Sequence, residues 1–144
     1  MFVISVMTMA DYPAVIGLMQ ATPGVSVRDA DSHAGTERYL ARNPGLSFVA
    51  EADGALCGCI MSGHDGRRGY LQHLLVLPSH RRLGIGAALV TACLDALEQQ
   101  GILKCHLDVL KSNPAAADYW RHQGWQLRTD IDRYSFIRAD DPNV

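Results

Sequence analysis

The sequence predicts an α+β fold with one central, mostly antiparallel twisted sheet of six to seven strands, flanked by about four helices. Two apolar runs flank Asp53-Gly54, a residue pair typical of tight hairpin turns, and a third run follows, so residues 46–76 are predicted to form an antiparallel meander. Apolar residues then repeat at helical spacing over about 84–100. With 48% hydrophobic and 19% charged residues, the 144-residue chain has the composition of a globular protein with a core.

The chain before the meander is predicted to form one strand and two helices. Residues 2–7 alternate weakly, as a strand does, and the stretch "TMADYPAVIGLMQA" follows. A helix is expected there because Thr8 or Asp11 can cap it and an apolar side follows, formed by Val15, Ile16, Leu18 and Met19. Pro13 is tolerated because it falls in the first turn. A second short helix is predicted over about 32–42, with Ser32 as its cap.

The chain after residue 100 is predicted to add a strand and a helix. The stretch "ILKCHLDVL" alternates as a strand does. In "SNPAAADYWRHQGW", Asn113 suits the helix cap, Pro114 the first helical position and Gly124 the C-terminal stop.

The C-terminal residues are predicted to complete the sheet with two strands, at about 125–129 and 132–138. Only residues 139–144 resemble a tail. No internal repeat and no linker composition appears, which predicts a single domain over residues 1–144.

Composition excludes several classes of function. The net charge of −2 offers no basic field for nucleic acid, and no apolar run approaches a membrane span. The N-terminal "MFVISVM" lacks a basic leader and a cleavage site, so a first strand and a cytoplasmic location are expected. Four cysteines lie in apolar segments without metal-ligand spacing, which favours buried free thiols in a reducing compartment and no metal site: Cys57, Cys59, Cys93 and Cys105.

The stretch "VLPSHRRLGIGAALV" carries the strongest functional signal. A strand leads into two arginines, a Gly-x-Gly turn and a helix, and a helix N-terminus with nearby cations is a natural phosphate site. A plain strand-to-helix connection is the alternative. The Walker spelling is absent, and the dinucleotide fingerprint fits only as a variant ending in alanine, in a fold that would need parallel β-α units from the start.

These residues resemble the GNAT family of N-acetyltransferases. The stretch 81–86, Arg-Arg-Leu-Gly-Ile-Gly, matches the family motif Arg/Gln-x-x-Gly-x-Gly/Ala after a strand. Asn113, Ala117, Gly124 and Trp125 are similar to the second family signature, an asparagine, a helix and a glycine followed by an aromatic residue. The resemblance covers nearly the whole chain, and it implies the GNAT fold.

The resemblance implies acetyl-CoA as the acetyl donor. Its pyrophosphate would lie on the backbone N–H groups of about 82–87, its pantetheine arm beside backbone 74–76, and its thioester between strands that splay apart. The residues implied in binding are Leu74, Leu75, Val76, Arg81, Arg82, Gly84, Ile85, Gly86, Ala87, Asn113 and Trp120.

Acetyl transfer needs a neutral amine, and the sequence offers one main candidate for the base. Many GNAT members carry a carboxylate in the strand before the phosphate loop, but "GYLQHLLVLP" has none. Its polar side chains, Gln72 and His73, are expected on opposite faces of the strand. His73 is the candidate base, directly or through water, and a histidine satisfied by a neighbouring strand is the alternative. Weaker candidates are His64, His106 and Asp108.

The family resemblance also implies how the negative charges on the oxyanion and on the leaving thiolate are stabilised. A backbone N–H near Leu74 or Leu75 would stabilise the oxyanion. Many members place a tyrosine where this chain has Trp120, and Tyr119 lies about 100° away on the helix. The indole of Trp120 cannot give up its proton, but it can donate a hydrogen bond or line the pantetheine. Tyr134 or water is the alternative proton source.

The predicted function is therefore direct transfer of the acetyl group from acetyl-CoA to a primary amine in a ternary complex. The acceptor is a small-molecule or peptide amine. By analogy with the family, its site would be lined by loop 22–35 and by a hairpin near 129–132, whose mixed charges leave the identity of the acceptor open. A homodimer through the C-terminal edge strands is possible. The alternatives are a CoA-binding module without transferase activity and an unrelated nucleotide-phosphate binder.

Overall fold

The computed structural model describes residues 1–144 and contains one five-stranded sheet. The strands lie in the sheet in chain order: β1 (Val3–Val6), β2 (Phe48–Ala52), β3 (Ala55–His64), β4 (Gly69–Val76) and β5 (Cys105–His106). Each strand is antiparallel to the next except β5, which runs parallel to β4. The predicted α+β class and the antiparallel meander are confirmed.

The chain forms four α-helices, and the caps of two of them follow the sequence signals. They are α1 (Tyr12–Ala21), α2 (His33–Arg42), α3 (Ile85–Gln99) and α4 (Pro114–His122). The Oγ atom of Ser32 accepts a hydrogen bond from the Gly35 backbone N–H at 3.1 Å, and Asn113 Oδ1 accepts from the Ala116 N–H at 3.1 Å. Because these side chains satisfy N–H groups that the helix itself leaves unpaired, they fix where α2 and α4 begin. None of the helices is both long and apolar enough to cross a membrane.

The C-terminal part of the sheet differs from the prediction. Neither 125–129 nor 132–138 forms a strand, and the strand expected from "ILKCHLDVL" is limited to Cys105–His106. Leu127, Tyr134 and Phe136 are 82%, 90% and 87% exposed. Alternation predicts a strand only where one face is buried and a neighbouring strand supplies hydrogen bonds, and these residues have neither.

The chain divides into two compact units, Met1–Leu107 and Asp108–Val144. The first unit contains the whole sheet with α1, α2 and α3, and the second contains α4. The single domain over residues 1–144 stays a prediction.

The core of the first unit lies on both faces of the sheet. Consecutive residues of β3 point in opposite directions. Cys59 belongs to a buried cluster with Val15 and Leu18 of α1, whereas a Cβ atom on Gly58 would lie 3.3 Å from Leu89 of α3 and 3.0 Å from the Leu75 carbonyl oxygen. Glycine at position 58 therefore lets α3 pack close against the sheet.

Candidate active site

Strand β4 is interrupted by a bulge at His73 and Leu74. Leu75 is paired with Cys59 and Gln72 with Met61, so the two residues between them face only Ile60 across the ladder. His73 has a φ of 52°, in the left-handed region that a residue with a side chain enters only at a cost. The prediction that Gln72 and His73 lie on opposite faces of the strand is therefore wrong. Because of the bulge, both residues line the same pocket.

The imidazole of His73 is held by a carboxylate. His73 Nε2 lies 3.0 Å from Asp31 Oδ1, and the two side chains are 20% and 12% exposed. Asp31 belongs to a 3₁₀ turn, Asp29–Asp31, and its other oxygen accepts a hydrogen bond from the Arg28 backbone N–H at 2.9 Å. The Tyr12 hydroxyl donates to the Asp31 carbonyl at 2.8 Å, which ties the turn to α1.

This contact assigns the tautomer of neutral His73. An ionised carboxylate only accepts hydrogen bonds, so Nε2 carries the ring proton and Nδ1 is left with its lone pair. Nδ1 is therefore the atom of His73 that can take a proton. The partner of the histidine is a turn before α2, not the neighbouring strand that the sequence offered as the alternative.

The weaker base candidates are engaged elsewhere. His64 Nε2 lies 2.7 Å from Gln100 Oε1, while its Nδ1 accepts from the Gly66 N–H at 2.9 Å. The His106 ring packs against Tyr70, with centroids 5.7 Å apart. Asp108, in the second unit, lies 3.2 Å from an Arg133 guanidinium nitrogen. The geometry thus favours His73 among the candidates.

Strand β4 has a free edge where the donor's arm is expected. Strand β5 pairs with β4 only at Gly69 and Tyr70, so no strand of the sheet continues that edge along 71–76. An extended chain can add to such an edge through backbone hydrogen bonds. At the end of β4, Arg81 Nε donates to the Val76 carbonyl oxygen at 3.2 Å.

The N-terminus of α3 has the properties of an anion site. Its cap residue is Gly84, with a φ of 84° and no side chain to satisfy the N–H groups of the first turn, and that turn contains no acidic residue. A Cβ atom on Gly84 would meet nothing within 4 Å, so the space beside this cap residue is open. Arg81 and Arg82 are exposed, and Arg82 has a φ of 64°. This arrangement fits a pyrophosphate.

Two predicted donor-binding residues lie in the second unit. Asn113 uses its Oδ1 atom to cap α4, which leaves its amide N–H groups as donors. The Trp120 ring packs edge-on against Trp125 and Tyr119, with ring centroids 5.2 Å apart in both pairs. The Tyr119 hydroxyl is buried without a hydrogen-bond partner, and burial raises its pKa.

A pocket of about 420 Å³ opens beside the His73–Asp31 pair. Its walls come from the 3₁₀ turn, α2, β3 and β4, all in the first unit. Besides His73 and Asp31, its polar lining residues are Arg38, Tyr39, Arg42, Asn43 and Gln72. The sequence did not identify the two arginines as site residues. The available signal was their spacing, since residues four apart on a predicted helix lie on one face.

The four cysteines are free, and Cys57, Cys59 and Cys93 are buried. Burial raises the pKa of Cys59 and of Cys93 to about 12. Such thiols stay protonated near neutral pH and are poor nucleophiles. The expected buried free thiols are thus confirmed, apart from Cys105, which is only partly buried.

Comparison with known proteins decides the family. The model of the acetyltransferase (GNAT) family matches residues 12–125, which include both motifs. The chain belongs to the GNAT family. An acetyltransferase of Pectobacterium atrosepticum is 40% identical over 79 residues, 55% of this chain and 56% of that protein. The match thus spans little more than half of that relative's length.

Solved GNAT structures share the fold. The PaiA N-acetyltransferase of Thermoplasma acidophilum, in complex with coenzyme A, is 20% identical with a TM-score of 0.79, covering 92% of this chain and 93% of that one. The aminoglycoside acetyltransferase AAC(6′)-Iy, in complex with a bisubstrate analogue, is 23% identical with a TM-score of 0.75. The match covers 96% of this chain and 99% of that one. The predicted GNAT fold and membership of this family of acetyltransferase enzymes are confirmed.

Proposed function

We propose that this GNAT protein transfers the acetyl group of acetyl-CoA directly to a primary amine that is bound at the same time. The observation that carries the proposal is the open N-terminus of α3, with left-handed Gly84 and two exposed arginines, following a strand whose bulge presents His73. Relatives named acetyltransferases and the coenzyme A complex of the PaiA structure support it.

The first unit holds the donor in this proposal. The N–H groups at the start of α3 and the guanidinium groups of Arg81 and Arg82 bind the pyrophosphate, since both attract a doubly charged anion. The backbone of Leu74 to Val76 pairs with the pantetheine arm along the free edge of β4. For Asn113 and Trp120, the family resemblance implies contacts with the same arm, through the amide N–H groups of Asn113 and the apolar ring of Trp120.

The chemical step needs one proton moved and one charge stabilised. The amine nitrogen bonds to the acetyl carbon, the carbon–sulfur bond breaks, and the nitrogen loses a proton while the departing thiolate takes one up. His73 accepts the amine proton at Nδ1, directly or through water, while Asp31 holds the ring in that tautomer. The N–H of Leu74, which the bulge removes from the regular ladder, donates to the developing oxyanion.

Direct transfer is favoured over an acetylated enzyme. A covalent route needs an activated nucleophile, and the buried Cys59 and Cys93 have pKa values of about 12. Cys59 donates its S–H to the His73 carbonyl oxygen at 3.5 Å, so this thiol has a structural role at the bulge. A cytoplasmic location and a homodimer stay predictions.

The test is acetyl transfer across a panel of amines. Purified protein is given acetyl-CoA and amino acids, polyamines, aminoglycosides or peptides with free N-termini; thiol release is followed, and the acetylated amine is identified by mass spectrometry. Intersecting double-reciprocal plots are expected for a ternary complex, and parallel plots would contradict direct transfer. Binding of acetyl-CoA without any acetylated product across the panel would instead support a CoA-binding module.

A further inference from the structure

Two arginines on α2 face the pocket beside His73 without a counter-ion. Arg38 and Arg42 both line this pocket, and neither belongs to the ion pairs His73–Asp31, Arg121–Asp118, Arg128–Asp130 and Arg133–Asp108. Both side chains are exposed, so their guanidinium groups are accessible to a ligand. Asp31, the one carboxylate lining the pocket, is already engaged by His73 and by a backbone N–H.

The spacing of the two arginines concentrates positive charge. Residues four apart on a helix are neighbours on one face, and like charges at this spacing destabilise the helix. Arg42, in the last turn, gains from the helix dipole, but Arg38 lies further from that end. A bound anion between the two guanidinium groups would remove the repulsion and form charge-assisted hydrogen bonds.

The pocket therefore has two chemically different walls. Asp31 and His73 form one, suited to an amine that must lose a proton, and the arginine pair on α2 forms the other. The volume of about 420 Å³ is in the range that suits small-molecule ligands. A guanidinium fork matches the geometry of a carboxylate.

We propose that the acceptor is a small amine that also carries a carboxylate, and that Arg38 and Arg42 bind this carboxylate while the amine lies at His73 and Asp31. The inference rests on the proposed function and narrows it to one class of acceptor. It excludes polyamines as good acceptors, because a polycation would meet the arginine pair.

Matched acceptors test the proposal first. A series of amino acids with a terminal amine and an increasing number of carbon atoms between amine and carboxylate is used. Each is compared with its own primary amide, which keeps the amine but lacks the negative charge of the carboxylate. Free α-amino acids and short peptides are included with their amides to distinguish the two sources of a carboxylate. The carboxylate form is expected to have kcat/KM at least about tenfold higher at the best length. Equal or better turnover of the amides would overturn the proposal.

Charge-removing variants test the residues. Arg38→Gln and Arg42→Gln are each expected to raise KM for the carboxylate acceptor about tenfold and to leave KM for its amide unchanged. Arg138→Gln is the matched control, because Arg138 is exposed and does not line the pocket. Equal effects on acid and amide would show a merely structural role and overturn the assignment.

Calorimetry separates this inference from the proposed function. The carboxylate amine and its amide are titrated into protein without acetyl-CoA. If no amine is acetylated but the carboxylate form binds and Arg38→Gln weakens it, transfer is wrong and the anion site stands. If amines are acetylated but the carboxylate form has no advantage in binding or turnover, transfer stands and this inference is wrong.

Discussion

His73 Nε2 lies 3.0 Å from Asp31 Oδ1, and this contact joins the bulge in β4 to a turn 42 residues earlier in the chain. The bulge supplies the unusual backbone of His73, and the carboxylate fixes the orientation of its ring. Backbone strain of this kind persists only where the surrounding structure supports it, and it is common at functional sites. The two residues therefore act as one unit in the chemistry that we propose.

The first prediction separates the roles of this pair. His73→Gln keeps a polar side chain but removes the base, and kcat/KM is expected to fall about 10²-fold or more, with loss of the low-pH inflection of its pH profile. Asp31→Asn keeps the shape but removes the charge that holds the Nε2–H tautomer, so a smaller fall, about tenfold, is expected. Steady-state kinetics as a function of pH measures both.

Acetyl-CoA affinity serves as the internal control for this pair. It is expected to be unchanged in both variants, because neither residue belongs to the proposed pyrophosphate site at the N-terminus of α3. Asp95→Asn, which neutralises an exposed carboxylate on α3, should leave kinetics and pH profile unchanged. If His73→Gln keeps the wild-type rate and profile, the histidine only connects β4 to the turn, and water alone takes the amine proton.

The second prediction concerns the anion site at the start of α3. Gly84 has a left-handed backbone, which asparagine and aspartate tolerate better than other residues with side chains, and its Cβ position is open. Gly84→Asp and Gly84→Asn therefore differ mainly in charge. The aspartate variant is expected to bind acetyl-CoA at least about tenfold more weakly than the asparagine variant in calorimetry.

The folding stability of the two Gly84 variants provides a control, because the added negative charge should affect stability and acetyl-CoA affinity in opposite directions. A negative charge at a helix N-terminus stabilises the helix, so Gly84→Asp should be at least as stable as Gly84→Asn while binding the donor more weakly. Equal affinities of the two variants for acetyl-CoA would show that the pyrophosphate does not lie at this end of α3.

The local elements could be predicted because their signals are local. Asp53 and Gly54 have φ values of 54° and 77°, as the tight turn between β2 and β3 requires, and Ser32 and Asn113 cap the helices expected of them. The bulge at His73 could not be predicted from "GYLQHLLVLP", since a shift in pairing depends on the partner strand. The contact with Asp31 follows from that bulge and from the packing of a distant turn.

The C-terminal residues show the opposite error. Alternation in 125–129 and 132–138 predicted strands, yet Leu127 and Phe136 remain exposed and unpaired with the sheet. Alternation reports only that one face is apolar, while a strand also needs a neighbour. The arginine pair on α2 was overlooked for a related reason, because only the fold shows that this helix face borders His73.

The third prediction addresses the leaving group. Trp120 packs against Tyr119 and Trp125, and its indole N–H is not acidic enough to give up its proton. Trp120→Phe is expected to leave measurable turnover at saturating acetyl-CoA, because a thiolate can depart without a general acid. A loss beyond about 10³-fold with unchanged donor affinity would assign the indole an essential chemical role. Trp125→Phe is the control for a loss of packing alone, because the Trp125 ring contacts the Trp120 ring.

The last prediction concerns three groups whose ionisation is disfavoured by burial. Burial raises the pKa of Cys59 and Cys93 from 9.0 to about 12, and that of Tyr39 from 10.0 to about 12. The neutral forms are thus favoured in the folded chain. Above the ordinary values, the unfolded chain loses these protons while the folded chain keeps them, so the unfolded state binds fewer protons and stability falls as pH rises.

The contribution of these groups to the free energy of unfolding should therefore be fully present below pH 9 and should be lost between about pH 9 and pH 12. Each of the two thiols is expected to contribute about 1 kcal/mol to the loss by about pH 10. Urea denaturation at a series of pH values measures the slope. Cys59→Ala should make it shallower, and Cys105→Ala, which removes a partly exposed thiol, should change it less. An unchanged slope in Cys59→Ala would mean that this thiol ionises equally in both states.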